Sequence, residues 1–542
     1  MGILGRVGGT TCDHGARQVE QALQELTSMA AQVSYPEGLA RVEAASSLPV
    51  SRLPEAEAAK DFSAEPLAQT PKARPGNGCG LNIAVLGSGA AAFACALRAA
   101  EEGARVTLIE PGTLGGTCVN TGCVPSKILI QAAQIAHLKA YHPFAGLDHA
   151  PPQVDWNALL AQLQARVEEL RSAKYQRLLE TNPNLHLLRG TARFEDAHTL
   201  KVTGQDGEKC LQPDRILIAT GAVPALPQVP GLKETPYWTS TQALAAETLP
   251  EHLIVYGGSA VALELAQAFR RLGSRVTLIA RSTLLSRLFP ELGAYLKEIL
   301  AQEGMQIMLH TQLVDVRYRG ERFEVTTSHN QVIVGDKLLI AVGRRPNTFG
   351  LELSRAGVAT DKNGAILVDA FLRTSAEHIY AAGDCTGLPQ HVYVAAAAGH
   401  CAAVNMTGGH AKLDLTVLPV VFFTDPQVAS VGLTEQEAAR LGLRAESRTL
   451  SLDEVPRALV NFDTRGFIHL VAERESGRLL GAHVLATNAG EVIQAAALAI
   501  RAQMTVDKLA GQFFPYLTMV EGLKLCAQAF RKDVRRLSCC AA

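Results

Sequence analysis

Two pairs of cysteines carry the most explicit chemistry in this chain of 542 residues. Cys118 and Cys123 lie within residues 115–127, which read GGTCVNTGCVPSK, whereas Cys539 and Cys540 are adjacent near the end of the sequence. Thiolates exchange disulfides and bind soft metal ions, and a helix N-terminus lowers the pKa of a thiol. End segments that bury little are poorly ordered, so we expect the second pair to be mobile. Together the pairs predict a substrate handed between dithiols, either a disulfide or a soft metal ion.

A first dinucleotide-binding signature precedes the inner cysteine pair. Residues 81–86 are an apolar run typical of a buried strand, and the following loop, GSGAAA, contains Gly87, Gly89 and Ala90. The first glycine allows a tight turn, and the second lets a pyrophosphate approach the backbone at a helix N-terminus. The next predicted strand ends in Glu110, which is placed to bind ribose hydroxyls. The pattern predicts a dinucleotide site beside the cysteines.

A second signature follows the strand at residues 253–256. Its loop begins with Gly257 but has Ser259 where the middle glycine is usual. The strand after it leads to Arg281 rather than to an acidic residue, and Arg287 follows nearby. A carboxylate there favours NAD, whereas arginine accommodates the 2′-phosphate of NADP. We therefore predict NADP; the alternative is that both arginines are merely solvated.

Two further turns complete the pattern of a flavoprotein. Residues 340–347 and 379–385 each place a polar turn after an apolar strand and contain Gly343 and Asp384, respectively. From residue 81 onward the chain resembles the flavoprotein disulfide reductases, the family of glutathione reductase and dihydrolipoyl dehydrogenase. The resemblance implies FAD and a nicotinamide dinucleotide as cofactors. It also assigns Asp384 to the ribityl or phosphate part of the flavin.

The resemblance further assigns roles around the inner cysteine pair. Cys123 would be the thiolate next to the flavin, and Cys118 would be the more accessible interchange thiol. Lys127 would lie near the flavin, with Glu264 as its partner; the alternative for Glu264 is an ordinary exposed helix charge. Two more residues are expected to bind flavin, Gly116 and Thr117.

One position departs from the disulfide-reducing members of the family. Those members carry a histidine that protonates the leaving thiolate, a task suited to its pKa. Here the matching stretch reads FFPYLTMVE, with Phe514 in the place of the histidine. Phenylalanine cannot transfer a proton, so a metal ion fits better than a disulfide. Tyr516 could contact that ion or its leaving ligand.

The adjacent cysteines near the end favour the same substrate class. Soft thiolates select soft ions, and Hg(II) favours two of them. The segment around Phe514 and the sequence LSCC are similar to family members that reduce Hg(II) to Hg(0) with NADPH. We therefore expect metal to pass from Cys539 and Cys540 to Cys118 and Cys123 by ligand exchange. The alternative for the outer pair is two incidental exposed thiols.

The beginning of the chain resembles a damaged heavy-metal-associated domain. The sequence GTTCDHG around Cys12 has Gly15 where such domains carry a second cysteine. His14 would be only a weak substitute ligand, so we predict a degenerate unit that has lost its bidentate site. A hairpin is predicted at residues 31–42 and a helix at residues 19–26.

These patterns predict an α/β fold with two Rossmann-like domains and an α+β dimerisation domain. By resemblance the protein is a homodimer whose site combines both cysteine pairs across subunits. The expected ranges are 1–45 for the metal-associated-like unit, 46–80 for a linker, 81–210 and 340–414 for the FAD domain, 211–339 for the NADP domain, and 415–542 for the dimerisation domain and tail.

The composition of the chain excludes several other classes of protein. The 51 Lys and Arg residues balance 52 Asp and Glu residues, which leaves no basic field to attract nucleic acid. No apolar run is long enough to span a bilayer, and no secretory signal is evident. Eleven cysteines in a chain of this size indicate redox or metal chemistry in a reducing cytoplasm rather than a disulfide scaffold.

Two rival functions remain open. One is a thioredoxin or dithiol reductase that uses the tail as a redox relay. The other is a thiol-based metal-sequestering protein, which the intact nucleotide signatures disfavour because binding alone needs no NADPH. Under the metal hypothesis, the ion would arrive bound to small thiols or by transient handover from a mercury transporter.

Overall fold

The structure is a computed structural model that describes residues 80–151 and 153–533, together with the backbone of four strands among the first 79 residues. The chain divides into two compact units, residues 1–79 and 80–542. Several sequence predictions lie outside the described residues: the helix at 19–26, Cys12, His14, Cys539 and Cys540.

The first unit contains a four-stranded antiparallel sheet. Its strand order is Ala31–Ser34, Leu39–Glu43, Gly2–Gly8 and Ser63–Pro66. The first two strands form the hairpin that the sequence predicts. The fourth strand lies within the range expected to be linker, where a short polar strand gives little periodic signal.

A parallel five-stranded sheet carries the first glycine loop. Its strands are, in order, Ile379–Ala381, Arg215–Ile218, Asn82–Leu86, Arg105–Glu110 and Leu185–Arg189. The small residues of helix Ala90–Glu101 let helix Val392–Met406 pack closely, since a Cβ on Gly399 would lie 2.1 Å from the Ala91 carbonyl oxygen. The sheet also includes Arg215–Ile218, which lies beyond residue 210, the boundary expected from the sequence. The sequence does not show this, because an apolar strand does not reveal which sheet it joins.

A second parallel sheet carries the other glycine loop. Its order is Gln306–Met308, Arg275–Ile279, His252–Tyr256 and Lys337–Ile340. Strand His252–Tyr256 is buried throughout, as a strand covered on both faces should be. We call the helix after its loop, Ala260–Arg271, the cofactor helix; nine of its residues are buried.

The C-terminal part is built on an antiparallel sheet. Its order is Val420–Phe422, Gln427–Gly432, Leu479–Ala486, Phe467–Glu473 and Ala445–Ser451. Helices Ala489–Arg501 and Glu521–Gln528 bury their apolar faces in the same core. The predicted α/β fold, with two dinucleotide-binding sheets followed by an α+β domain, is confirmed.

Smaller elements connect these sheets. Three further sheets contain the strands Thr191–Phe194, Leu200–Gly204 and Gly207–Leu211; Ala222–Pro224 and Arg344–Pro346; and Leu313–Arg319, Arg322–Thr327 and Val332–Gly335. The other α-helices of the described residues are Gly116–Thr121, Cys123–Ala140, Trp156–Arg171, Arg177–Thr181, Ser240–Leu244, Pro290–Gln302, Glu435–Arg440, Pro456–Val460 and Val506–Ala510. Within the described part of the chain, no helix has the length and apolar character needed to cross a membrane.

Candidate active site

The inner cysteine pair lies at the junction of two helices. Cys118 is in the short helix Gly116–Thr121, and Cys123 is the first residue of Cys123–Ala140, which we call the redox helix. The helices meet at Gly122, where a Cβ would lie 2.9 Å from the Thr117 carbonyl oxygen. Glycine therefore allows the tight turn that brings the two thiols together. Cys118 is half-buried, whereas Cys123 is exposed to the adjoining cleft.

The two thiols have opposite acidities. A hydrogen bond from the Cys118 thiol, aided by the charge of Lys127, lowers the pKa of Cys123 to about 7, although burial opposes the shift. The same hydrogen bond, with burial and the charge of Cys123, raises the pKa of Cys118. The position of Cys123 at a helix N-terminus also favours its thiolate. Cys123 is thus the thiol of the pair that ionises near neutral pH, and Cys118 is its hydrogen-bond donor.

Lys127 and Glu264 form the ion pair that the sequence predicted. Lys127 Nζ lies 2.7 Å from Glu264 Oε2, and Glu264 is only 6% exposed. The other carboxylate oxygen accepts a 2.8 Å hydrogen bond from the backbone N–H of Phe423. The Phe423 ring also packs 4.6 Å from Lys127 Nζ. Glu264 therefore links the redox helix, the cofactor helix and the C-terminal part of the chain.

The cysteines open into a cleft of about 1110 Å³. Besides Cys118, Cys123, Lys127 and Glu264, it is lined by residues of the first glycine loop and by others from the later sheet strands, including Gly89, Ala90, Thr117, Arg344, Gly383 and Asp384. The structure thus brings most of the predicted flavin residues to one cleft. Burial raises the pKa of Asp384, and Arg344, 3.9 Å away, opposes that shift.

The backbone around this cleft fits a dinucleotide. Gly87 has φ +113°, and a Cβ there would lie 2.4 Å from the Ala219 carbonyl oxygen. Gly116 has φ +65°, and its Cβ would lie 2.6 Å from Gly89 Cα. The first glycine loop and the short helix Gly116–Thr121 therefore approach each other closely because residue 116 is glycine. Such a side-chain-free approach is what the phosphates of FAD require, so the residues present fit this cofactor.

Glu110 occupies the end of its strand, as predicted, but does not line the cleft wall. Its carboxylate accepts hydrogen bonds from Ser88 Oγ at 2.8 Å and from the Gly112 N–H at 2.7 Å. These contacts hold the carboxylate beside the first glycine loop. Ribose binding by Glu110 remains a prediction.

A second cleft, of about 1250 Å³, adjoins the second glycine loop. Gly257 and Ser259 line it, and so do Arg281 and Arg287. A Cβ on Gly257 would lie 2.2 Å from the Ala341 carbonyl oxygen, so this turn also requires glycine. Two exposed guanidinium groups beside a phosphate-binding loop fit a nicotinamide dinucleotide that carries an additional phosphate.

Comparison with known proteins agrees with this geometry. The pyridine nucleotide-disulphide oxidoreductase family matches residues 81–399, and the dimerisation domain of that family matches residues 418–527. The chain belongs to the pyridine nucleotide-disulphide oxidoreductase family. The resemblance seen in the sequence motifs is therefore confirmed.

Several relatives within this family are similar over almost their whole length. A mercuric reductase of Acidithiobacillus ferrooxidans is 55% identical over 536 residues, covering 98% of each chain. A mercuric reductase of Shigella flexneri is 54% identical over 560 residues, covering 99% of each chain. Among solved structures, the Cu(II) complex of the HOCl-induced flavoprotein disulfide reductase RclA from Escherichia coli is 30% identical with a TM-score of 0.76, over 83% of this chain and 99% of that chain.

Some site residues of this family member escaped the sequence analysis. Gly343, expected at the flavin, lines the second cleft instead, while the neighbouring Arg344 lines the first. Two consecutive residues thus line different clefts at the start of the strand Arg344–Pro346, which a linear pattern does not show. Tyr175 packs edge-on against Phe93 at 4.8 Å between ring centroids, and burial raises its pKa. Phe423 had no local signal, because its contacts with Glu264 and Lys127 are distant in sequence.

Tyr516, which was expected to meet the metal, does not line the cysteine cleft, and Cys539 and Cys540 lie outside the described residues. Phe514 packs against the core of the C-terminal domain and leaves no proton donor at that position. Tyr516 is 48% exposed. Other cysteines, such as Cys95, Cys385 and Cys526, are buried and have raised pKa values because of that burial.

Proposed function

We propose that this protein reduces Hg(II) to Hg(0) with two electrons from NADPH, passed through FAD and the dithiol of Cys118 and Cys123. The observation that carries the proposal is a dithiol held at a helix junction in the first cleft, with Phe514 in place of an acid–base residue. A dithiol binds a soft ion without a proton donor. The relatives described above bear the name mercuric reductase, which supports the same substrate.

The chain's own residues prepare the dithiol for the ion. Cys123 offers a thiolate at neutral pH because its pKa is lowered to about 7, chiefly by the Cys118 hydrogen bond. The Cys118 thiol must lose its proton when the ion binds, as metal-bound thiols do. Lys127, held by its ion pair with Glu264, compensates the negative charge of the Cys118 and Cys123 thiolates. FAD, when bound, supplies the electron transfer from nicotinamide to the site.

We propose that the second dithiol delivers the ion. Intracellular Hg(II) is expected to be chelated by small thiols, and two tethered thiols act at a high effective concentration. Cys539 and Cys540 would take the ion from small thiols or from a mercury transporter. The family's dimerisation domain supports a homodimer, in which the tail and Tyr516 would serve the cleft of the partner subunit.

The second cleft would take NADPH in preference to NADH, because Arg281 and Arg287 suit a 2′-phosphate. Apart from the strands Ser63–Pro66 and Arg215–Ile218, which depart from the expected ranges, we propose the domain ranges that the sequence predicted. We also place the protein in the cytoplasm, where thiols such as Cys118 and Cys123 remain reduced between turnovers.

The test is NADPH consumption with four substrates offered separately: Hg(II) in excess small thiol, oxidised glutathione, lipoamide and thioredoxin. We expect rapid consumption only with Hg(II), accompanied by release of elemental mercury vapour. The Phe514→His variant is a matched probe, because it restores the missing acid–base group. Fast turnover of a disulfide without mercury reduction would instead establish a dithiol reductase.

A further inference from the structure

Both arginines of the second cleft lie on one short segment, residues 281–289, which we call the arginine loop. The loop connects the strand Arg275–Ile279 with the helix Pro290–Gln302. All of its residues from 281 to 288 line the cleft except Leu284, which is buried. A movement of this loop would therefore move both guanidinium groups relative to the second glycine loop.

The middle of the arginine loop is held by backbone contacts within its own domain. The Leu285 N–H donates a 2.8 Å hydrogen bond to the Gly258 carbonyl oxygen. Leu285 has φ +51°, a left-handed conformation that a bulky residue keeps only where its surroundings impose it. A Cβ on Gly293 would lie 2.1 Å from the Leu284 carbonyl oxygen, so the following helix packs directly against the loop.

The end of the arginine loop, Phe289, is held by the C-terminal sheet. Its ring stacks on His469 and on His483, with centroids 4.3 and 5.1 Å apart and 19° between the ring planes in each case. These two residues, which we call the histidine pair, lie opposite each other on neighbouring strands. Phe289 also meets Phe467 edge-on at 6.3 Å. Phe289 and the histidine pair are all buried, so the contact excludes water.

Hydrogen bonds fix the orientation of the histidine pair. His469 Nδ1 lies 2.7 Å from Thr449 Oγ1, and its Nε2 lies 3.1 Å from Glu435 Oε1. His483 Nδ1 lies 2.7 Å from Ser430 Oγ. Burial lowers the pKa of both rings, that of His483 to about 4, although the charge of Glu435 opposes the shift. The pair is therefore uncharged at neutral pH and gives an aromatic ring a rigid surface on which to stack.

We propose that Phe289 is a positioning residue, which fixes the arginine loop to the C-terminal domain so that Arg281 and Arg287 remain in place to bind the 2′-phosphate. The inference rests on the proposed NADPH specificity of the second cleft. Phe289 does not line that cleft, and only Leu288 separates it from Arg287 along the chain. Its effect on the nucleotide therefore passes through the backbone of the loop.

A displaced arginine loop should affect the two nicotinamide nucleotides unequally. Charge-assisted hydrogen bonds from a guanidinium to a phosphate depend on geometry, so NADP should lose affinity when the loop shifts. NAD has a hydroxyl group at that position and makes no such contact. Both nucleotides still share the second glycine loop, which includes Gly257. A general loosening of the domain would instead weaken the binding of both.

The experiment measures equilibrium binding of NADP⁺ and NAD⁺ to the oxidised, FAD-loaded protein by calorimetry. Phe289→Leu removes both ring stacks but keeps an apolar side chain. Its Kd for NADP⁺ should rise roughly threefold to tenfold, a part of what the loss of a charge-assisted contact costs, and its Kd for NAD⁺ should stay the same. Phe323→Leu is the matched control within residues 211–339, because Phe323 is fully buried and packs against Tyr318 at 4.8 Å. It should bind both nucleotides as the parent does.

A second variant tests the contact from the side of the C-terminal domain. His469→Leu should also weaken NADP⁺ binding alone, and the double variant with Phe289→Leu should be no weaker than Phe289→Leu, because both changes remove the same contact. Unchanged NADP⁺ binding in Phe289→Leu, an equal loss for NAD⁺, an equal loss in Phe323→Leu, or additive losses in the double variant would each overturn the proposal.

The same measurements separate this proposal from those on which it rests. A parent protein that binds NADP⁺ no better than NAD⁺ would overturn the cofactor assignment itself, and the role of Phe289 with it. A parent that prefers NADP⁺ while Phe289→Leu keeps that preference would overturn only the role of Phe289. Calorimetry requires no mercury, so a failure of the Hg(II) assignment would appear only in the turnover assay.

Discussion

At the scale of single residues, the site depends on the difference in pKa between two neighbouring thiols. One hydrogen bond makes Cys123 the acidic member, with a pKa of about 7, and raises the pKa of Cys118. Because its pKa is lowered to about 7, Cys123 is mostly thiolate above that pH. Its reactivity should therefore increase as the pH rises through about 7 and decrease below that value.

The first prediction concerns the absorbance of the two cysteine variants. Oxidised Cys118→Ala protein should show a long-wavelength thiolate-to-flavin charge-transfer band, since Cys123 is then unpaired. Its pH midpoint should lie above the parent's value of about 7, because the hydrogen bond from Cys118 is lost. Cys123→Ala should show no such band at any pH, even after reduction. A band in Cys123→Ala protein would mean that the roles of the two thiols are reversed.

The second prediction concerns cofactor choice at Arg281 and Arg287, which both line the second cleft. Replacing both by Gln should raise KM for NADPH roughly tenfold or more, because charge-assisted contacts to the 2′-phosphate are lost. KM for NADH should change little. Steady-state kinetics with each nucleotide decides the matter, and equal use of both by the parent protein would contradict the assignment.

At the scale of elements, the site depends on close approach between backbones. The short helix Gly116–Thr121 reaches the first glycine loop because Gly116 has no side chain, whose Cβ would lie 2.6 Å from Gly89 Cα. The redox helix and the cofactor helix then meet through Lys127 and Glu264. Positions of this kind tolerate no added atom without moving a whole element.

The third prediction tests this approach. Gly116→Ala places a Cβ 2.6 Å from Gly89 Cα at a residue with φ +65°, so the short helix must shift away from the phosphate loop. The left-handed conformation alone costs alanine about 1–2 kcal/mol. The purified variant should therefore lose most of its FAD on dilution, as measured by flavin absorbance after gel filtration. Gly146→Ala is the control, since a Cβ there meets nothing within 4 Å. Full FAD retention by Gly116→Ala would show that the approach is not needed.

At the scale of the whole molecule, the chain carries its catalytic cleft and its dimerisation domain in one continuous unit, residues 80–542. Within that unit, Tyr516 is exposed and lies outside the wall of the cysteine cleft. The proposed site, completed by a second copy of the chain, would account for this placement. The separate first unit, residues 1–79, is expected to be dispensable for catalysis because Cys12 lacks a second thiol partner at Gly15.

The fourth prediction tests the shared site with mixed dimers. One subunit carries Cys118→Ala and Cys123→Ala, and the other carries Cys539→Ala and Cys540→Ala. Each homodimer should fail with thiol-bound Hg(II), but the heterodimer should regain one working site, or about half of the parent activity. Inactive heterodimers that still fold and bind FAD would show that the tail serves its own subunit.

The sequence by itself determined the local chemistry of this protein. Glycine loops and the spacing of Cys118 and Cys123 are read from neighbouring residues, since each depends on short-range backbone geometry. The replacement at Phe514 is read from the resemblance of its stretch to the family. Only the tertiary structure decided which strand joins which sheet, that Gly343 and Arg344 face different clefts, and that Phe423 supports Glu264. Phe423 and Glu264 are 159 positions apart, and no periodicity along the chain encodes such pairings, because packing of separately formed elements brings the residues together.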